Sequence, residues 1–303
     1  MGGPRLVVAA LLLLVIVVAG DFAGTGRAVP WVTWYEPLAA LGGTNQIIAS
    51  RFDKVANRWI VAGQDRGSGA ASLNINTDRV AENPSVAGGA AVAGNDPVPW
   101  VAWEEDDGPG SGKRQIFVSR GIKTDTCAIG TLPSAGSTIG GFCWSEVGNA
   151  RVSPAALTGG SPTDASLNID PTRNGVEPDI AFTGPNDTVP WVVWYEENDS
   201  ELTGLVDGTK LVFAAKGVAD GSADGGFKWV IEGNGTAGQA PNVLDRSGAT
   251  NAFGPCAETA TQERACSLNK VPTNDAENPR VAAGTLTPGT ATVPWVVWEE
   301  DIG

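Results

Sequence analysis

The chain is predicted to be all-β, a β-propeller of four-stranded blades. Three observations carry this. A Trp-rich motif of eight residues occurs four times, other short strand-like segments recur between its copies in a fixed order, and 40 Gly with 20 Pro punctuate a 303-residue chain that is still 42% hydrophobic. That much Gly and Pro does not fit long helices, and the apolar fraction suffices for a packed core.

The motif first runs Val29-Pro30-Trp31-Val32-Thr33-Trp34-Tyr35-Glu36 and returns at Val98–Glu105, Val189–Glu196 and Val293–Glu300. After each of the first three copies comes a β-rich segment ending in a basic residue, Arg51, Arg120 or Lys216, and then a lone Trp, at Trp59, Trp144 or Trp229. The tripeptides Ser72-Leu73-Asn74, Ser166-Leu167-Asn168 and Ser267-Leu268-Asn269 each begin twelve positions before a Pro that starts a short strand, at Pro84, Pro178 and Pro279. One unit is therefore four strands: Pro-started, Pro-Trp-Val-x-Trp, basic-ended and lone-Trp. Tandem meanders of this kind are propeller blades.

Immunoglobulin-like sandwiches are the rival, because the later copies lie 91 and 104 residues apart. The first step is only 69 residues, and each unit offers about four strands where a sandwich needs about seven. Trp31 and Trp34 are three apart and so point to opposite faces of one strand. A strand with large apolar groups on both faces is covered on both, which assigns these Trp to core packing and not to sugar stacking. Units beginning near 29, 98, 189 and 293 amount to about three and a half blades, where a ring has typically about four to eight. The expectation is a fragment whose remaining blades follow Gly303, with an unusual ring closure or closure by oligomerisation as the alternatives.

Residues 1–20 read as a secretory signal peptide: Arg5, an apolar run of fourteen from Leu6 to Ala19, and small residues before Asp21. The run falls short of the roughly 20 residues that cross a bilayer. The mature chain, residues 21–303, is thus expected to lack a membrane span and to be secreted, extracellular or at the cell surface. Its charge without Arg5 becomes -15 from the whole chain's -14, which disfavours nucleic acid and anionic membranes as partners. The absence of His removes imidazole catalysis and His-ligated zinc. Four cysteines in an exported chain are expected to pair locally, Cys127 with Cys143 and Cys256 with Cys266.

Ser222-Ala223-Asp224-Gly225-Gly226-Phe227-Lys228-Trp229 matches the Asp-box pattern Ser/Thr-x-Asp-x-Gly-x-x-Trp, and Ser137 to Trp144 is a degenerate copy with Ile139 at the Asp position. On these residues, and on the motifs above, the chain resembles sialidase-like propellers and secreted bacterial propeller repeats. The box itself, Ser222, Asp224, Gly226 and Trp229, is a folding device. The resemblance implies that an enzyme of this group would need an arginine triad, a Tyr nucleophile with a Glu partner and an Asp acid/base. The only tyrosines, Tyr35 and Tyr195, and the basic residues Arg51, Arg120 and Lys216 all occupy repeat positions, so catalysis of that kind is disfavoured.

Meander topology gathers acid at one end of the blades. Glu36, Glu104, Glu105, Asp106, Asp107, Glu196, Glu197, Asp199, Glu299, Glu300 and Asp301 follow the Trp strands, and Glu82, Glu177 and Glu277 precede the Pro-started ones. Converging carboxylates are candidates for Ca²⁺ or a cationic partner. The competing reading has Glu36, Glu105, Glu196 and Glu300 accept hydrogen bonds from turn N–H groups. The expected function is a secreted, non-catalytic recognition module for an extracellular glycan or protein. A sialidase-like glycoside hydrolase using paired carboxylates is the alternative.

Overall fold

The computed structural model describes residues 29–64, 71–89, 98–106, 113–123, 138–147, 166–169, 173–184, 187–197, 208–219, 226–232, 267–271, 273–287 and 290–301. Residues 1–20, expected to be a signal peptide, and Cys127, Cys256, Cys266, Asp107, Asp199, Ser222 and Asp224 lie outside them. The described strands form four antiparallel sheets. The first contains β1 (Trp31–Pro37), β2 (Asn45–Asp53) and β3 (Arg58–Val61), after which the short β4 (Gly63–Gln64) crosses to the second sheet. That sheet holds β5 (Ala81–Gly89), β6 (Val98–Asp106), β7 (Arg114–Lys123), β8 (Thr138–Ile139) and β9 (Phe142–Glu146), in the order β4-β8-β9-β7-β6-β5. The third is β10 (Gly175–Thr183), β11 (Val189–Glu197), β12 (Lys210–Ala219) and β13 (Phe227–Ile231), and the fourth is β14 (Ala276–Gly284) with β15 (Val293–Glu300). The four predicted strands of a unit are thus β5-β6-β7-β9 and β10-β11-β12-β13.

Two boundaries differ from the sequence expectation. The first strands run through their prolines: β5, β10 and β14 begin before Pro84, Pro178 and Pro279, and each carries a bulge there. Proline has no N–H to donate, and a bulge tolerates that loss. The third strands also continue beyond Arg120 and Lys216, through Gly121 and Gly217. A Cβ at these glycines would lie 2.7 Å from Pro99 Cγ and 2.5 Å from Pro190 Cγ, so the glycines let the strand pass the motif proline. The degenerate Asp-box copy closes as a two-residue hairpin between β8 and β9, with Gly140 and Gly141 both at positive φ.

The sheets stack face to face, and the two Trp of each motif divide between the faces. Trp100 enters the core between the second and third sheets, whereas Trp103 enters the core between the first and second. Trp194 shares the core of Trp100, and Trp191 packs with Trp298 into a third core, against the fourth sheet. The opposite-face expectation therefore holds on the central sheets, where Trp100, Trp103 and Trp194 are fully buried. Repetition extends to the ring contacts. Trp31 meets Phe142 edge-on at 5.0 Å, and Trp100 meets Phe227 edge-on at 5.3 Å, geometry that contributes about 0.5–1.5 kcal/mol beyond area burial. On the outer face of the fourth sheet the equivalent Trp295 is 44% exposed.

Replacing Trp100 with Ala is expected to cost about 3–5 kcal/mol, the usual range for emptying a buried Trp site. Trp295→Ala should cost less than half as much, and urea titration of the two variants compares them directly.

Candidate functional site

Three of the predicted acids are acceptors inside one recurring joint. Glu105 Oε2 accepts the Trp103 indole N–H at 3.0 Å and the Ile75 N–H at 2.8 Å, while Oε1 accepts the Asn76 N–H at 2.7 Å. Glu196 accepts from the Trp194 indole at 2.9 Å and from the Ile169 N–H, and Glu300 accepts from the Trp298 indole and the N–H groups of Lys270 and Val271. The turn that supplies these donors is held by the preceding sheet. Asn74 Oδ1 accepts the Ile47 N–H at 2.8 Å and its Nδ2 donates to Asn45 and Arg79 carbonyls, and Asn168 and Asn269 repeat the pattern on β7 and β12. The Ser-Leu-Asn turn and the motif Glu thus lie at the same end of the sheets, as meander topology requires. Glu36 makes no such bond among the described residues.

Cations or amides engage most of the remaining acids at that end. Arg114 pairs with Glu82 at 2.8 Å, with the buried Glu104, and with Asp106 at 3.6 Å. Lys210 pairs with Glu277, and Asn174 Nδ2 donates to Glu197 at 2.9 Å. Asp301 is tied through its backbone, its N–H donating to the Asp275 carbonyl at 3.0 Å. No group of three or more acidic or Cys side chains placed to hold a metal ion occurs among the described residues.

Glu177 stands apart. Its carboxylate Oε2 is buried without a hydrogen-bond partner, and its backbone has φ 52°. The bulges of the neighbouring first strands place Asn83 at φ 49° and Asn278 at φ 54° in the same position. Asn tolerates the left-handed region; Glu does not, and such a residue typically costs about 1–3 kcal/mol. Burial raises the Glu177 pKa, opposed by the nearby Arg280 charge and reinforced by Glu104 and Glu277.

These bulges border a cavity of about 510 Å³ between β5, β10 and β14. Its polar lining is Asn83, Ser85, Glu177, Asp179 and Arg280, and its walls include Pro84, Pro178, Ile180 and Val281. Asp179 joins the three strands. Its Oδ1 accepts the Ser85 hydroxyl at 2.6 Å and its Oδ2 accepts the Val281 N–H at 2.8 Å. Arg280 is exposed and donates from Nη1 to the Pro279 carbonyl at 2.7 Å. Sequence reasoning singled out Glu177 as one acid among many and did not assign Asn83, Ser85, Asp179 or Arg280 to a site. The available signal was chemical divergence inside a copied strand: Ser85, Asp179 and Arg280 occupy one repeat position.

The described Tyr195, Arg51, Arg120 and Lys216 sit at repeat positions within the sheets. Burial, with Glu177 and Glu197 nearby, holds the Tyr195 hydroxyl protonated well above its ordinary range, which is the wrong direction for a nucleophile. Arg51, Arg120 and Lys216 lie directly across the sheet from Trp31, Trp100 and Trp191, one on each of three sheets. Of the segment expected to form an Asp box, Gly226, at φ 79°, and Trp229 are described; Trp229 donates to the Val147 carbonyl at 2.9 Å, as Trp144 does to Ala62 at 3.1 Å. Cys143 is buried, and its expected partner Cys127 lies outside the described residues. Among the described residues no helix is long and apolar enough to cross a membrane.

Burial pushes the Glu105 carboxyl from 4.5 up to about 7, against the three N–H bonds that favour its anion. A folded-state value above the unfolded one means that protonation stabilises the fold, fully below about 4.5 and decreasingly as pH rises through about 7. The melting temperature is expected to fall between pH 5 and pH 8, with a shallower slope in Glu105→Gln. At neutral pH that variant should lose about 1–3 kcal/mol by setting an amide NH₂ against buried donors, and Glu300→Gln, whose turn bonds are exposed, should lose less. No known family, curated protein or solved structure matches the chain.

Proposed function

We propose that the chain is a secreted, non-catalytic recognition module, a propeller of four-stranded blades similar to the sialidase-like Asp-box group, that binds a glycan or protein at the cell exterior. The cavity among the first strands carries this reading. Its volume of about 510 Å³ falls in the range of about 300–1,000 Å³ usual for ligand sites. It also has groups to spare, since Glu177 lacks a side-chain partner and Arg280 uses one N–H on its own chain. The acidic end offers less for hydrolysis, because Glu105, Glu196 and Glu300 are consumed as turn acceptors and Glu82, Glu104 and Glu277 are paired with cations. Local bridges Cys127–Cys143 and Cys256–Cys266 belong to the same proposal, as does export by residues 1–20.

The test is binding and turnover on the same preparation. The full chain is expected to retain ligands from glycan or peptide arrays, to lose that retention at least tenfold in Arg280→Ser, and to release no sugar from fluorogenic glycosides. Glycoside hydrolysis abolished by substituting a carboxylate would establish the hydrolase instead.

A further inference from the structure

The geometry points to a narrower conclusion, which rests on the cavity being a ligand site: it takes a small aliphatic zwitterion, an amino acid, with the ammonium on the Glu177 carboxylate and the carboxylate on the Arg280 guanidinium. The two side chains line one cavity and make no ion pair with each other among the described residues. A molecule carrying the opposite charges a few atoms apart meets both. Each Asp179 oxygen already accepts one bond, from Ser85 or from Val281, whereas Glu177 Oε2 accepts none. The walls suit an aliphatic body: Pro84, Val86, Pro178, Ile180 and Val281 line the cavity, and no aromatic ring does among the described residues. A sugar in this cavity would find no indole to stack on among the described lining residues, the exposed Trp59 and Trp295 not being among them.

Comparison among the repeats isolates the same two residues. Where the neighbouring first strands carry Asn83 and Asn278, this one carries Glu177, in a backbone conformation that Asn tolerates better. Where they carry Ser85 and Asp179, the last carries Arg280. Glu177 departs from the Asn of its siblings, Arg280 is the one cation at a position that is Ser85 and Asp179 in theirs, and both border the same space. Departures from a local rule collect at functional sites. The surroundings also favour a cation at Glu177. Glu104 and Glu277 act on it with negative charge, while the opposing charges Arg280 and Lys210 leave its Oε2 without a bond.

Titration calorimetry on the full chain tests this with L-leucine, N-acetyl-L-leucine, L-leucinamide and glucose. Leucine is expected to bind, and the derivatives lacking either charge at least tenfold more weakly. Glu177→Asn, which installs the residue of the other two bulges, should melt no lower than the parent and should no longer distinguish leucine from its N-acetyl form. Arg280→Ser should no longer distinguish leucine from leucinamide. Equal binding of leucine and both derivatives overturns the zwitterion, as does a Glu177-dependent response to glucose without one to leucine; either leaves the cavity standing as a ligand site. No heat with any of the four probes overturns the zwitterion and removes the cavity's support for the recognition reading.

Discussion

A buried carboxylate that accepts from an indole and from a turn at once is the constraint on which the stack of sheets depends. Glu105 cannot leave the Trp103 N–H, because both are sealed between sheets, and it cannot leave Ile75 and Asn76 without stranding their donors. That turn is itself bonded through Asn74 to the start of β2. One side chain therefore registers the second sheet against the first. Unmade bonds to buried N–H groups are costly, about 1–3 kcal/mol for each orphaned group, which gives the joint more authority over geometry than its net bond energy suggests. At the other end of the lone-Trp strands the joint is duplicated more simply, with Trp144 and Trp229 donating to carbonyls of the preceding sheet.

The same economy explains the acid composition. Much of the excess negative charge near the turns is not free surface, because Glu105, Glu196 and Glu300 answer backbone donors and Arg114 and Lys210 answer others. What distinguishes Glu177 is that neither type of partner reaches its Oε2. Its exception lies on the first strand, where the bulge interrupts pairing and turns the backbone toward the neighbouring sheets.

The strands and their opposite-facing Trp were legible because side-chain alternation is a two-residue code, and a spacing of three cannot be satisfied on one face. Trp100 and Trp103 in separate cores follow from it. The role of the motif Glu was legible only as one of two readings, since acceptor and free acid look alike in sequence. The bulge was not legible. Asn83-Pro84 and Asn278-Pro279 look like the entry to a strand, and nothing local says that pairing has already begun at Ala81 or Ala276. Nor does a sequence show that positions 85, 179 and 280 border one space, because that requires three sheets to be stacked at their first strands.

The two middle units carry both halves of the joint: a Glu that receives from the turn before it, and a third strand that anchors the turn after it. Two sibling copies are then compatible wherever they adjoin, with no side chain needing to be invented for the new boundary. A unit of this kind can be repeated in tandem with the same joint at each new boundary, and copies are free to differ at the positions the joint does not use. Glu177 and Arg280 occupy such positions, which is how a chain of parts built on shared motifs comes to hold one dissimilar place.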